Sequence, residues 1–278
     1  VTVSPIPLAQ LPSHPTCTLC PLHTVATHVG ISTHYLPGSL PPSPSTPCVL
    51  FLGQNPGFNE DRVGTPFIGK SGQLLQHAYI DGIHLRTLAS IFLANTARCY
   101  HLHGEGPTNS HYRACRPYLL PDLHHLSSIS SSLYVVCLGG PASTHLHALL
   151  GKKSATLTSC FQQQGTPYPL PPLESPSETP KPNGKRKVRV LPTPDSTEPR
   201  PLPDLQTASP TPQGQVGPLH LHKTLTTWAT FHPAAVLRTG NLIHAVEGHL
   251  TLLLHRLTGR SPVPSTPHLV LPSPPPRA

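Results

Sequence analysis

Four short apolar runs constrain what this chain can fold into more than any other feature. Cys48–Gly53 (CVLFLG), Ile91–Asn95 (IFLAN), Leu133–Leu138 (LYVVCL) and Leu225–Phe231 (LTTWATF) are too short for core helices and rich in branched or aromatic residues, so each reads as a buried strand. Helical spacing separates them. Leu74, Leu75 and Ala78 share a face over Ser71–Tyr79, and Pro141 sits in the tolerated first turn of a helix running to Leu150. From Asn241 to Leu257, Leu242, Ile243, Val246, Leu250, Leu253, Leu254 and Leu257 keep one apolar stripe. Strands alternating with helices predict a three-layer α/β/α domain around a central, mostly parallel four-stranded sheet, with any active site at the carboxyl ends of the strands.

The pattern is interrupted once, and there composition matters. The chain has 39 prolines among 278 residues and only 11% charged residues. Gln162–Pro218 is dominated by Pro, Ser, Thr and Gly around a basic cluster (Lys181, Lys185, Arg186, Lys187, Arg189), and such a segment buries too little apolar surface to order itself. The expected organisation is one domain made of residues 1–161 and 219–260, a low-complexity insertion over 162–218, and a proline-rich disordered tail over 261–278.

A formal charge of +8, with the 20 histidines counted neutral, suits a polyanionic partner. No apolar stretch reaches the ~18 to 20 residues that span a bilayer, and Val1–Gln10 lacks the regions of a signal peptide, so the expected location is the cytoplasm. In a reducing compartment, seven cysteines are better explained by metal ligation or burial than by disulfides. Cys17 and Cys20 form a C-x-x-C pair, and Cys99 and Cys115 a wider one. Four thiolates can hold a [4Fe-4S] cluster or a zinc ion, and spacing alone does not choose between them.

The remaining chemistry gathers where the strands end. Gly53-Gln54-Asn55-Pro56-Gly57 follows the first run, then Glu60-Asp61, Gly64-x-Pro66-Phe67-Ile68-Gly69 and Ser71-Gly72. Asn95 closes the second run four residues before Cys99, and His232-Pro233-Ala234-Ala235 with Leu237-Arg238 closes the fourth. Taken in this order, from about Cys17 to Leu257, these motifs resemble those of family-4 uracil-DNA glycosylases, the thermostable iron-sulfur type.

The resemblance implies excision of uracil from DNA by base flipping, leaving an abasic site, by a monomer. It implies a [4Fe-4S] cluster on Cys17, Cys20, Cys99 and Cys115, with zinc as the alternative, and leaves Cys48, Cys137 and Cys160 as structural thiols. His232 would donate to uracil O2 as charge develops there, Asn95 would read the base edge, and Phe67 would stack on the flipped base. Glu60 would stand near uracil C5, Gly53 and Gly57 would allow close backbone approach, and Ser71, Leu237 and Arg238 would meet the DNA.

One position departs from the family. A glutamate usually follows the first glycine of the loop, and here Gln54 stands in its place. Asn55 is then the alternative water-orienting group, because Gly-x-Asn-Pro-Gly resembles the motif of mismatch-specific uracil/thymine glycosylases. The same departure admits a second reading, a glycosylase-like DNA-binding iron-sulfur protein with weak or no catalysis; a structural or redox four-cysteine metal protein is a third.

Overall fold

A computed structural model of the chain describes residues 11–102, 106–152, 156–173 and 224–259. Strand β1 (His34–Tyr35) precedes β2 (Cys48–Gly53), which leads through the pocket loop into helix α1 (Phe58–Val63) and helix α2 (Lys70–Leu74). The latter continues as a wider π turn to Ile80. Then follow β3 (Ser90–Asn95), α3 (Asn109–Ser128), β4 (Leu133–Leu138), α4 (Gly140–Leu149) and α5 (Leu157–Gln162). The last elements are β5 (Thr166–Pro169), β6 (Thr224–Thr230), α6 (Pro233–Arg238) and α7 (Leu242–Thr258).

The sheet order is β1-β3-β2-β4-β6-β5. Its four central strands, the expected ones, run parallel. The expected count of four is corrected to six, because β1 pairs antiparallel on β3 and β5 antiparallel on β6. Both edge strands are short, and one is half proline (Pro167, Pro169), so neither has the long apolar run that announces a strand.

All six residues of β2, β3 and β4 are buried, as strands covered on both faces must be. Alternate residues feed two cores. Val49, Phe51, Ile91 and Val136 pack with Leu74, Leu75, Tyr79, Val246 and Leu250 on one face. Leu50, Leu52, Val135 and Cys137 pack with Leu119, Leu123, Ala142 and Leu146 on the other. This is the expected three-layer arrangement. Cys48 and Cys137 lie fully inside it, and burial pushes both thiols far above their ordinary range, which suits structural thiols.

The sequence gives no sign of α3, because it carries Pro117 and Pro121 within its length. Each proline removes one helical hydrogen bond, yet the two stand four residues apart on the exposed face, where water reaches the freed carbonyls. The opposite face buries Tyr112, Cys115, Leu119, Asp122, Leu123 and Leu126.

The expected insertion also begins too early. Its first residues contain β5, and Gln164 acts as an extra strand residue, its Nε2 donating to Ala229 O (2.6 Å) while its Oε1 accepts from Ala229 N–H (2.8 Å). Residues 174–218 of the segment, like the whole of the expected tail, lie outside the described residues. Pro169 pairs with Thr224, so the two ends of the segment lie on adjacent strands within reach of a short linker. Replacing residues 174–218 by such a linker is expected to preserve cooperative thermal unfolding, whereas removing 163–218 strips β5 and Gln164 from the sheet edge and lowers the midpoint. Calorimetry of the two deletions checks this, and loss of cooperativity in the shorter one would place that segment in the core.

Candidate active site

Parallel pairing of β2 with β3 sets Gly53 opposite Asn95, and the pairing continues beyond both strand ends. Thr96 N–H donates to Gly53 O (2.9 Å), Ala97 N–H to Gln54 O (2.9 Å), and the Thr96 hydroxyl faces both carbonyls at 3.0 and 2.9 Å. The first turn of the pocket loop is thereby pinned to the exit of β3. Gly53 has no room for a side chain: a Cβ there would stand 2.4 Å from Asn95 Oδ1 and 2.6 Å from the Phe67 ring.

Phe67 adopts a left-handed backbone (φ 58°) that a non-glycine residue rarely holds. Its carbonyl lies against Gly72, where a Cβ would come within 1.8 Å. Strain in the Gly64–Gly72 turn thus places an aromatic ring at the end of β2.

A cavity of about 300 Å³ opens here. Asn55, Gly57, Glu60, Phe67, Asn95 and His232 line it, with Ser71 beside them and Phe58, Asn59 and Lys70 at its edge. Its size and its few converging polar groups suit a small planar ligand. Asn55 Nδ2 is committed to Pro56 O at 2.9 Å, which leaves its Oδ1 as an acceptor. Glu60 Oε1 accepts from Gly69 N–H at 2.9 Å, and its other oxygen lies beside Gly57, so this carboxylate ties together the two glycine turns that frame the cavity.

His232 caps α6. Its Nδ1 accepts from Ala234 N–H at 3.1 Å, so the ring proton of the neutral form resides on Nε2. Burial, with Arg238 adding, holds the imidazole down to about 4. The group is therefore a neutral donor with a fixed tautomer. Tyr79 braces the preceding residue, donating to Phe231 O at 3.0 Å.

The expected site residues do not all converge. Gln54 is absent from the lining; its amide points to the other side of the loop, toward Gly106, into an adjoining cavity of about 560 Å³ with Thr108, Tyr112 and His145. Leu237 and Arg238 are exposed at the end of α6 and do not line the cavity.

Nor did sequence reasoning single out Asp61. Its buried carboxylate accepts the backbone N–H groups of Thr27 (2.9 Å) and His28 (3.1 Å), and its carbonyl meets the His28 ring. It thus fastens the segment after Cys20 to α1. Its place beside Glu60 in the loop motif was the only available signal.

All seven cysteines are free thiols. Cys17 and Cys20 lie on the N-terminal segment, Cys99 just past β3 and Cys115 on α3. Gly30 N–H donates to Cys99 Sγ at 3.4 Å. Burial raises the Cys99 thiol, the Gly30 contact opposes this, and the Cys20 and Cys17 thiolates add to it. Cys115 is pushed up to about 11 by burial, with Cys99 and Cys20 adding. Cys99 and Cys115 therefore both feel charge on Cys20, and Cys99 that on Cys17 as well. Among the described residues, however, no three His, Cys, Asp or Glu side chains close around a single-ion position.

Behind Cys99 the buried Arg98 and Asp122 form an ion pair at 2.5 Å, joined by the Thr33 hydroxyl, which donates to Asp122 at 2.6 Å. A carboxylate and a guanidinium this deep are tolerated because they pair. The pair fixes the exit of β3 against α3.

Comparison with known proteins supplies the family. The family model for the uracil DNA glycosylase superfamily matches residues 41–250. Curated relatives include the type-4 uracil-DNA glycosylase of Pyrobaculum aerophilum, 29% identical over 118 residues, covering 41% of this chain and 57% of the relative. That of Thermotoga maritima is 29% identical over 126 residues, covering 45% and 58%, and that of Archaeoglobus fulgidus 28% identical over 142 residues, covering 51% and 64%. The chain thus spans between about half and just under two thirds of the curated relatives it matches.

The buried neutral imidazole has a consequence for stability. With its pKa lowered on folding, His232 contributes fully above the ordinary histidine value of 6.5 and loses that contribution as pH falls toward about 4. His145, also held at about 4, chiefly by burial and then by Arg116, acts in the same direction. Stability should fall between pH 6.5 and 4 with a slope of up to about 1.4 kcal/mol per pH unit for each proton that only the unfolded chain binds. Denaturant titrations at stepped pH check this, and His232→Gln is expected to flatten the slope.

Proposed function

Because the chain belongs to the uracil DNA glycosylase superfamily, we propose that it hydrolyses the N-glycosidic bond of uracil in DNA, taking the base out of the stack and leaving an abasic site. The observation that carries this reading is the cavity in which Asn55, Phe67, Asn95 and His232 converge at the carboxyl ends of the strands. The type-4 uracil-DNA glycosylase names of the relatives favour it over a DNA-binding protein without catalysis.

As the bond between sugar and base breaks, negative charge develops on the uracil and positive charge on the sugar. A donor in a water-poor site stabilises the first of these. His232 Nε2–H fills that role at uracil O2, and its neutrality matters, since an imidazolium would have to release the Ala234 N–H that its Nδ1 accepts. Asn95, buried at the end of β3, presents an amide whose donor and acceptor match the uracil edge. The Phe67 ring forms a wall for the base, and Glu60, held between Gly57 and Gly69, stands on the side assigned to C5.

The water belongs to Asn55. Its Nδ2 is engaged by Pro56 O and the residue lines the cavity, so its Oδ1 is placed to accept from a water there, whereas the Gln54 side chain faces the adjoining cavity. Gln54 contributes through its backbone, which the Thr96 and Ala97 contacts hold in place. Exposed Leu237 and Arg238 suit insertion into the base stack and contact with a phosphate, with Ser71 beside the cavity as a further DNA contact. Action as a monomer in the cytoplasm belongs to the same reading.

For the cofactor, Cys17, Cys20, Cys99 and Cys115 fit a [4Fe-4S] cluster. Negative charge on Cys20 opposes ionisation of both Cys99 and Cys115, and charge on Cys17 opposes that of Cys99, which bound metal would relieve. A cluster would take one cysteine sulfur on each of its four irons, whereas a zinc ion would draw all four sulfurs to one point. When bound, the cluster supplies a cross-link between the N-terminal segment, the exit of β3 and α3. The match to the superfamily begins at residue 41, after Cys17 and Cys20, so the first two ligands rest on the motif resemblance and on the charge that both exert at Cys99.

Protein purified without air should be brown, with about four irons per chain; stoichiometric zinc with no visible absorbance would overturn the cluster. Single-turnover rates on oligonucleotides carrying one uracil test the catalytic roles. His232→Ala is expected to lose about 100- to 1,000-fold, and Asn55→Ala more than Gln54→Ala. An Asn55→Ala protein as fast as wild type, beside a crippled Gln54→Ala protein, would return the water to Gln54. Asn95→Asp is expected to change base preference toward cytosine. No uracil release by the wild-type protein from single- or double-stranded DNA would refute the function.

A further inference from the structure

The edge of the cavity carries a side chain that the proposed reaction does not use. Phe58 is the first residue of α1, directly after Gly57, and lines the cavity with 60% of its surface exposed. A large exposed aromatic beside a polar pocket is more than the scattered apolar exposure of an ordinary surface.

Its ring is held from within the chain. The Arg62 guanidinium lies 5.8 Å from the ring centroid, and Tyr100 meets the ring edge-on with centroids 6.3 Å apart. Arg62 and Lys70, the latter also lining the cavity, are both exposed. An aromatic plane held by a cation and an aromatic edge, with a second cation nearby, is the combination that binds single-stranded nucleic acid through base stacking and phosphate attraction.

Building on the reading of the cavity as a uracil site, we propose that Phe58 is a stacking platform for the base next to the extruded uracil on the same strand, with Arg62 and Lys70 drawing in the adjoining phosphates. The occupant follows from continuity. A uracil in the cavity remains joined to its neighbours by the sugar-phosphate chain, and Phe58 belongs to the wall of that cavity.

Stacking a neighbouring base on Phe58 requires that base to leave its own stack. In a duplex this adds the disruption of a second base pair, and in a single strand it does not. The device therefore favours single-stranded over double-stranded substrate and tolerates any base at the flanking position, since every base offers a π face. Phe58 is in this sense a positioning residue that acts through the strand; the bond-breaking groups are those inside the cavity.

The test uses strands with 2′-fluoro-2′-deoxyuridine, which resists hydrolysis, and 2-aminopurine on its 5′ or its 3′ side. Binding to wild-type protein or to Phe58→Trp should change 2-aminopurine fluorescence on one of the two sides, and Phe58→Ala and Phe58→Leu should abolish the change. Replacing that flanking nucleotide with a tetrahydrofuran abasic residue should weaken wild-type binding about 5- to 150-fold and leave Phe58→Ala binding unchanged.

An equal loss in wild type and Phe58→Ala on removal of the flanking base, or a fluorescence change that persists in both Phe58→Ala and Phe58→Leu, would overturn the platform. That failure is distinct from failure of the underlying function. A protein that releases uracil yet ignores the flanking base refutes only the platform, whereas one that neither releases uracil nor binds the uracil strand refutes both.

Discussion

Much of the site depends on the hydrogen bonding that carries the β2–β3 pairing past the ends of its strands. Gly53 and Gln54 offer their carbonyls to Thr96 and Ala97, so the loop that holds Asn55 and the strand end that holds Asn95 are fixed by the same contacts. Cys99 lies two residues beyond Ala97 and takes its position from the same anchor. A shift of one residue in this register would reverse the face of every side chain on the strand, separating Asn95 from the cavity and Cys99 from its partners together. Catalytic geometry and thiol geometry are therefore one structural problem in this fold.

A second tie runs from the thiol side to the pocket side. The Asp61 carboxylate holds the backbone of Thr27 and His28, while Glu60 next to it holds Gly69. Adjacent acids on one short helix thus face opposite ways, one securing the N-terminal segment that bears Cys17 and Cys20, the other closing the pocket turn. Loss of order in the N-terminal segment would reach the cavity through α1, a physical route by which a group held by the four thiols would support the proposed catalysis without touching the substrate.

How much of this was legible in the sequence follows from what each feature needs. The four central strands declare themselves because burial on both faces demands unbroken apolar runs, and α7 because one apolar stripe persists over four turns. The edge strands β1 and β5 have neither property, and their existence depends on partners remote in sequence. Helix α3 escapes notice because its two prolines violate local propensity, and only the tertiary placement of both on the water side makes them tolerable. Asn55, Phe67, Asn95 and His232 could be named from motifs because strand-end loops keep side chains and backbone in fixed relation. The direction of Gln54 could not, since nothing in the order Gly-Gln-Asn tells which of two adjacent side chains faces the cavity.

That direction changes the meaning of the glutamine. A neutral amide where related proteins carry a glutamate looks like a loss of electrostatic support for a cationic sugar, but the argument holds only if the side chain faces the sugar. Here it faces the cavity beside Tyr112, whose phenol burial raises to about 12 with Gln54 opposing the shift. A glutamate at this position, turned the same way, would place a carboxylate against a buried phenol and the backbone of Gly106, far from where it could help. The acid that does line the cavity shared by Asn55, Asn95 and His232 is Glu60, with one oxygen engaged by Gly69. With Glu60 on the C5 side of the base, positive charge on the sugar would be met in the proposed reaction by the phosphates of the substrate strand, while His232, kept neutral by burial, would add no opposing charge. The direction of the Gln54 side chain, and not its loss of charge alone, would then decide what the missing carboxylate costs the proposed reaction.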